Sequence, residues 1–225
     1  MAEVKTTPQN WGERLNNFEH WVNENQKMLM YVVGGVVAIV AAYLGFTKFY
    51  LEPKNEEAND QIFMAQKWFG QDSLNLALKG DGNFPGFLKI MDDYKWTSAA
   101  NLSHYYTGII YLKQGKFQDA IDQLKDFNGK DKMVTNMAYG ALGDAYSELG
   151  KNDDAVDYYK KAAYHFENEL TSPLFLKKAG MLLEHEKKYD EAKKIYQEIK
   201  NKYPVTNEGR DIDKYIARVE GSSNS

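Results

Sequence analysis

Two patterns of apolar and polar positions divide this chain. Between Lys27 and Lys48, the 20 residues from Met28 to Thr47 carry no charge and are apolar on every helical face. At the helical rise they span about 30 Å, the thickness of a bilayer's hydrocarbon core. A core helix of a soluble protein would normally keep a polar stripe, so the segment predicts a transmembrane helix over 28–47. Tyr31 and Tyr43 within it, and Phe49 and Tyr50 after it, suit the headgroup belts. Gly34, Gly35, Ala38, Ala41 and Ala42 offer small-residue surface to another membrane helix, although lipid tolerates such residues equally well. The 27 residues before the segment are too long for a signal-peptide n-region and include Glu3, Glu13, Glu19 and Glu24, which predicts an uncleaved anchor.

Within that arm, residues 1–27, Trp11, Leu15, Phe18 and Val22 recur at helical spacing with Trp21 beside them. This predicts a short amphipathic helix lying in the headgroups or against a partner, with Trp11, Leu15, Phe18 and Trp21 as contact residues. Arg14 and Lys27 before the anchor nearly balance Lys48, Lys54 and Lys67 after it, so charge leaves the orientation open.

From Lys54 onward the pattern is helical throughout, with Gly and Pro between periodic segments. Three segments superimpose: Asn101 to Lys132, Asn136 to Glu167 and Pro173 to Pro204. Each carries a glycine in its first helix (Gly108, Gly143, Gly180) and an alanine 12 residues later (Ala120, Ala155, Ala192), the repeats being offset by 35 and 37 residues. Glycine lets two antiparallel helices approach, with Tyr111, Tyr146 or Leu183 filling the space beside it. Leu124, Tyr159 and Tyr196 are expected to stack on the next unit, so each pair buries its face only beside a neighbour.

A degenerate unit precedes these, since Tyr94-Lys95-Trp96-Thr97 echoes Tyr203-Pro204-Val205-Thr206. Thr97 and Thr206 are the expected N-caps. The first helix of this unit is expected over Ala58 to Lys79, burying Ile62, Ala65, Trp68 and Phe69, with Gly80 to Gly86 as a loop. A capping helix from Thr206 to about Val219 closes the stack, using Ile212, Tyr215, Ile216 and Val219. The expected domains are thus the arm (1–27), the anchor (28–47), a repeat domain (54–220) and a disordered tail (221–225).

Composition narrows the chemistry. The 225 residues include no cysteine, which excludes disulfide scaffolds, thiolate zinc sites and cysteine nucleophiles. A net charge of -4 argues against nucleic acid as a partner. The mean hydropathy of -0.61 averages a lipid-compatible segment with polar-faced helices. None of the four histidines has a catalytic setting, and His104 falls where the repeat wants a packing residue. Metal, nucleophile-elbow and phosphate-loop motifs are missing, so neither an enzyme nor a cofactor is expected. Asn101-Leu102-Ser103 matches a glycosylation sequon but opens a helix.

The repeats resemble the tetratricopeptide repeat. Leu142-Gly143, Tyr146 and the closing Pro204 keep its signature, while His104, Tyr139 and Leu176 stand at the tryptophan place and Lys132 and Glu167 replace the proline. The resemblance implies an all-α solenoid of three clear repeats, one degenerate repeat and a C-terminal cap, following the transmembrane helix. Its first helices would line a concave, peptide-gripping face. In this register the face carries Leu102, Tyr105, Ile109 and Leu112, then Met137, Asp144 and Ser147, then Leu174, Lys177, Met181 and Glu184. Only Lys177 suits the gripping of a carboxylate, which favours apolar partners. Met137 and Met181 could repack around different ligands.

Taken with Trp11 and Trp21 in the arm, Tyr43-Leu44-Gly45-Phe46 in the anchor and Pro53 after it, the layout is similar to the ancillary subunit of the bacterial SecYEG translocon. That resemblance implies a single-pass protein of the inner membrane with a cytoplasmic arm and a periplasmic domain. Its implied partners are the lipid bilayer, SecYEG, a periplasmic prolyl-isomerase-type chaperone and newly translocated, unfolded client chains. Membrane-helix contact would fall to Gly34, Gly35, Ala38 and Ala42. A scaffold of another envelope complex and a cytosol-facing tetratricopeptide receptor remain as alternatives.

Overall fold

The computed structural model describes residues 9–223 and divides into two compact units, Met1–Pro53 and Lys54–Ser225. The first eight residues of the expected arm and the last two of the expected tail lie outside the described residues.

In the first unit, α1 (Gln9–Glu24) holds Trp11, Leu15, Phe18 and Trp21 exposed, with Phe18 stacked on Trp21 at 6.4 Å between centroids. Helix α2 (Gln26–Phe46) covers nearly all of the expected anchor, and none of its residues is buried. A chain of exposed Val, Ile, Leu and Tyr side chains is costly in water and at ease in hydrocarbon. By length and composition the helix beginning at Gln26 can cross a membrane. A π-helical turn, Thr47–Leu51, follows it, and there Phe46 stacks on Tyr50 at 5.2 Å.

The regular secondary structure of the second unit is helical among the described residues, apart from a single Gly80–Pro85 bridge. Helix α3 (Glu52–Gly70) enters it at Lys54 and buries Ala58, Ile62, Ala65 and Trp68, while Phe69 is half-buried. The single helix expected over Ala58 to Lys79 is instead broken: α3 stops at Gly70, Asp72 is left-handed at φ 56°, and α4 (Leu74–Lys79) starts anew. Gly-Gln-Asp-Ser is a weak helical run, and the Ser73 N–H returns to the Trp68 carbonyl at 2.9 Å, which closes the turn. In the loop that follows, the Asp81 carboxylate accepts from the Asn83 and Phe84 N–H groups at 2.9 and 2.8 Å. Helix α5 (Phe87–Asp93) then buries Phe87 and Ile90 against α3 and α6.

Three helix pairs follow: α6 (Ser98–Lys113) with α7 (Phe117–Asp126), α8 (Lys132–Glu148) with α9 (Asn152–Tyr164), and α10 (Ser172–His185) with α11 (Tyr189–Lys202). Thr97 caps α6 by accepting from the Ala100 N–H, and Asp131 caps α8 through the Val134 N–H. Within each pair the small residues permit a close crossing. A Cβ added at Gly108 would lie 2.5 Å from Leu124 Cγ, one at Gly143 2.5 Å from Tyr159 Cδ1, and one at Gly180 would run into the Tyr196 ring. The side chain that covers each glycine is therefore Leu124, Tyr159 or Tyr196, from the second helix of the pair. Tyr159 and Tyr196 also reach the following unit, toward Phe175 at 6.5 Å and Tyr215 at 5.4 Å. Gly140, unremarked in the sequence, receives the Phe175 ring from the next repeat.

The cap expected as one helix comes in two parts, α12 (Asn207–Arg210) and α13 (Ile212–Ser223), divided at Asp211. Thr206 caps α12 through the Gly209 N–H at 3.1 Å. Helix α13 buries Ile212 and Val219 against α11 and reaches three residues into the expected disordered tail.

Candidate functional site

The first-helix face of the stack is not uniformly open. On α6, Leu102, Tyr105, Ile109 and Leu112 are all half-buried. Tyr105 lies against Tyr106 and Phe127 at 5.4 and 5.6 Å, and burial raises its phenol pKa. The apolar members that face solvent are Met137, 41% exposed, and Met181, 47% exposed, whereas Leu174 is half-buried.

The charged members of the face are engaged inside the stack. Asp144 accepts from Lys178 Nζ at 2.6 and 2.9 Å and from the Tyr159 hydroxyl at 2.6 Å, tying α8, α9 and α10 together. Burial first, then this carboxylate, pushes the Tyr159 phenol far above its ordinary range. Lys177 Nζ stands 5.0 Å from the centre of the Tyr215 ring on α13. Glu184 pairs with Arg218 of α13, at 2.8 Å for Nη2, and accepts from the Tyr196 hydroxyl at 3.1 Å. Lys177 and Glu184 thus hold the capping helix, and the one cation suited to a carboxylate is taken by an aromatic face.

Three cavities border the face. Leu112, Ser147 and Asp144 share one of about 520 Å³ with Phe117, Tyr159 and Lys178. Met181 and Glu184 line another of about 300 Å³ with Tyr189 and Arg218. The third, about 530 Å³, lies where the α5–α6 turn meets the α7–α8 loop. Its walls are Met91, Trp96, Leu102, Phe127 and Val134, and its rim carries Lys95, Lys130, Asp126 and Asp131. Of the polar groups there, Asp131 caps α8, Lys95 pairs with Asp92 at 3.3 Å, and Asn101 exchanges two hydrogen bonds with the Asn128 backbone at 2.8 and 2.9 Å. What the cavity offers is mainly apolar surface. Of its walls only Leu102 was singled out in the sequence. Trp96 was visible there only as part of a helix boundary, and Met91, Phe127 and Val134 carried no signal.

Asn101 uses both ends of its amide on the α7–α8 loop, which leaves the sequon's asparagine structurally committed. His104 is half-buried with Nδ1 2.9 Å from Gln123 Oε1, a satisfied packing residue. In the first unit, a Cβ added at Gly34 or Gly35 meets nothing within 4 Å, and Ala38 and Ala42 are exposed, so this surface is open to a neighbour. No group of three metal-binding side chains occurs among the described residues.

Comparison with known proteins agrees with the repeat geometry. Residues 107–169 match one tetratricopeptide repeat model and residues 176–204 another. A Guillardia theta protein described as uncharacterized protein ycf37 is 29% identical over 124 residues, 53% of this chain and 67% of that protein. The chain carries tetratricopeptide repeats behind a long apolar N-terminal helix, and such repeats are protein-interaction modules.

Proposed function

We propose that this chain is a non-enzymatic, membrane-anchored interaction subunit that works beside the SecYEG translocon. Its repeat domain would stand in the periplasm and assist newly translocated chains together with a prolyl-isomerase-type chaperone. The observation that carries this reading is the chemistry of the face: the mainly apolar cavity beside Leu102 is open, while Asp144, Lys177 and Glu184 are bound within the stack. Such a face favours uncharged apolar segments, which an unfolded chain exposes and a folded one buries. Met137 and Met181 let the surface adapt to varied sequences. The apolar α2, none of whose residues is buried, supports anchoring, and the family layout described above suggests the orientation.

Site-specific photocrosslinking in cells tests the assignment. A probe at Met137 should capture translocating chains or the chaperone, and one at Gly35 should capture translocon subunits. Adducts confined to another envelope complex would replace the translocon reading with that of a scaffold. Cysteines placed singly at Gly12 and Gly221 test the topology in a chain that has none of its own. The periplasmic reading requires an impermeant thiol reagent to label Gly221→Cys and spare Gly12→Cys in spheroplasts. The reverse pattern would put the domain in the cytosol.

A further inference from the structure

The second repeat carries aromatic and basic side chains that its neighbours do without. At the repeat offsets of 35 and 37 residues, Tyr139 and Tyr158 take the places of His104 and Gln123 in the first repeat and of Leu176 and Ile195 in the third. The first of those pairs is a hydrogen bond, His104 Nδ1 to Gln123 Oε1 at 2.9 Å, and the other is two buried aliphatic side chains. A polar pair and an aliphatic pair both serve the fold at this place, so packing does not call for two tyrosines. Lys161 is equally singular, since Asp126 and Glu198 hold its place in the other repeats.

These residues border a cavity of about 650 Å³ on α8 and α9, lined by Tyr139, Asp157, Lys160, Lys161, Tyr164 and His165. None of them belongs to the first-helix face or to the cavities beside it. The Tyr139 ring is 6.3 Å from Tyr158 and 5.6 Å from His165, and Tyr158 stacks on Tyr146 at 5.2 Å, which makes a continuous row of rings. On α9, Asp157 precedes Lys160 and Lys161 by three and four residues, the spacing at which helical carboxylates and lysines pair. Among the described residues, however, neither lysine forms an ion pair, and Lys161 Nζ lies 4.5 Å from the centre of the Tyr158 ring. On α11, Glu198 accepts from the Tyr164 hydroxyl at 2.7 Å and is already paired with Lys202 at 2.9 Å. Two ammonium groups against one carboxylate leave the cavity positive in a chain whose net charge is -4. A last-turn lysine offsets the helix dipole in any repeat, as Lys125 does on α7 and Lys200 on α11. What sets this repeat apart is the lysine joined to a row of rings.

We infer that this cavity is a docking site for an acidic segment of a partner protein, whose carboxylates meet Lys160 and Lys161 while its apolar side chains lie on Tyr139 and Tyr164. Charge complementarity selects the occupant. Asp157 can accept from a peptide N–H, whereas a phosphate backbone would only be repelled by it and needs a denser array of cations. The site shares no residue with the apolar cavity beside Leu102, so it stands whether or not that cavity takes client chains.

The test uses the full chain in mild detergent and a fluorescein-labelled peptide in which Asp and Glu flank a central Leu-Phe pair, read by fluorescence polarisation. Its amide counterpart, with Asn and Gln at the flanks, should bind more weakly. Lys160→Gln with Lys161→Gln should weaken the acidic peptide by about three- to tenfold, and Lys67→Gln with Lys79→Gln, an equal change of charge elsewhere, should leave it unaltered. Tyr139→Leu with Tyr158→Ile installs the third repeat's pair, and should keep the helical circular dichroism while lowering affinity. Equal binding of the two peptides, or equal losses in the two lysine variants, overturns the proposal. A single-stranded oligonucleotide that displaces the peptide and depends on the same lysines overturns the choice of an acidic peptide as occupant. Full affinity in a folded Tyr139→Leu, Tyr158→Ile variant overturns the part given to the rings.

Discussion

Each repeat turns between its two helices through one left-handed residue, and the three repeats solve this differently. Gly115 and Gly150 take φ 73° and 70°, while the third repeat places Lys187 at φ 61°. A left-handed L residue costs about 1–2 kcal/mol, against about 0.5–1 kcal/mol for the extra chain entropy glycine loses on folding. Lys187 is exposed, so its side chain adds little to offset the strain. Lys187→Gly is therefore expected to stabilise the protein by about 0.5–1 kcal/mol and raise Tm by about 1–4 °C, read by circular dichroism in mild detergent. Unchanged or lower Tm would show that the lysine makes a contact that compensates its backbone. Glycines at the crossings serve another purpose: Gly143 is small because Tyr159 lies on it, not because its backbone is unusual.

Among the elements, the junction of α3, α5 and α6 depends on Tyr94. Burial, and then the Glu57 carboxylate, push its phenol up to about 12. The sign follows from linkage: below the ordinary tyrosine value near 10 the group is neutral in both folded and unfolded chains and has no effect on the slope. Above it the unfolded chain loses its proton first, so stability falls as pH rises from about 10 toward 12. Thermal unfolding at pH 8, 10 and 11 should show a plateau and then a decline. Tyr94→Phe should be less stable at pH 8 yet decline less steeply. Tyr159, Tyr164 and Tyr196, also raised by burial, keep part of the slope. An identical slope in the variant would place the titration elsewhere.

For the whole molecule, the two units differ in what solvates them. The second has its own continuous cores, from Ala58 through Ile110 and from Ala120 through Val219, and α13 covers the last repeat. A chain starting at Lys54 is therefore expected to be soluble without detergent, helical and cooperative in thermal unfolding, while the full chain partitions into membranes. Aggregation of the shortened chain would mean that the first unit supplies part of its fold. Small residues made the repeats readable in sequence, since only Gly and Ala permit the helix crossings and both recur at a fixed interval. The cavity walls were not readable: Trp96, Met91 and Phe127 have the composition of core residues, and only the fold leaves the first of them outside.

Sequence by itself determined the uncharged span, the repeat period and the caps at Thr97 and Thr206, because each is a local matter of hydrophobicity, small volume or backbone hydrogen bonding. Tertiary structure decided which groups of the groove remain available. Asp144 meets Lys178 across 34 residues, Lys177 meets Tyr215 and Glu184 meets Arg218 only after the repeats stack and the cap folds back on them. No local pattern encodes those pairings, since they depend on the rotation between successive helix pairs, and they engage within the stack the charged groups of a face that reads as mixed in sequence.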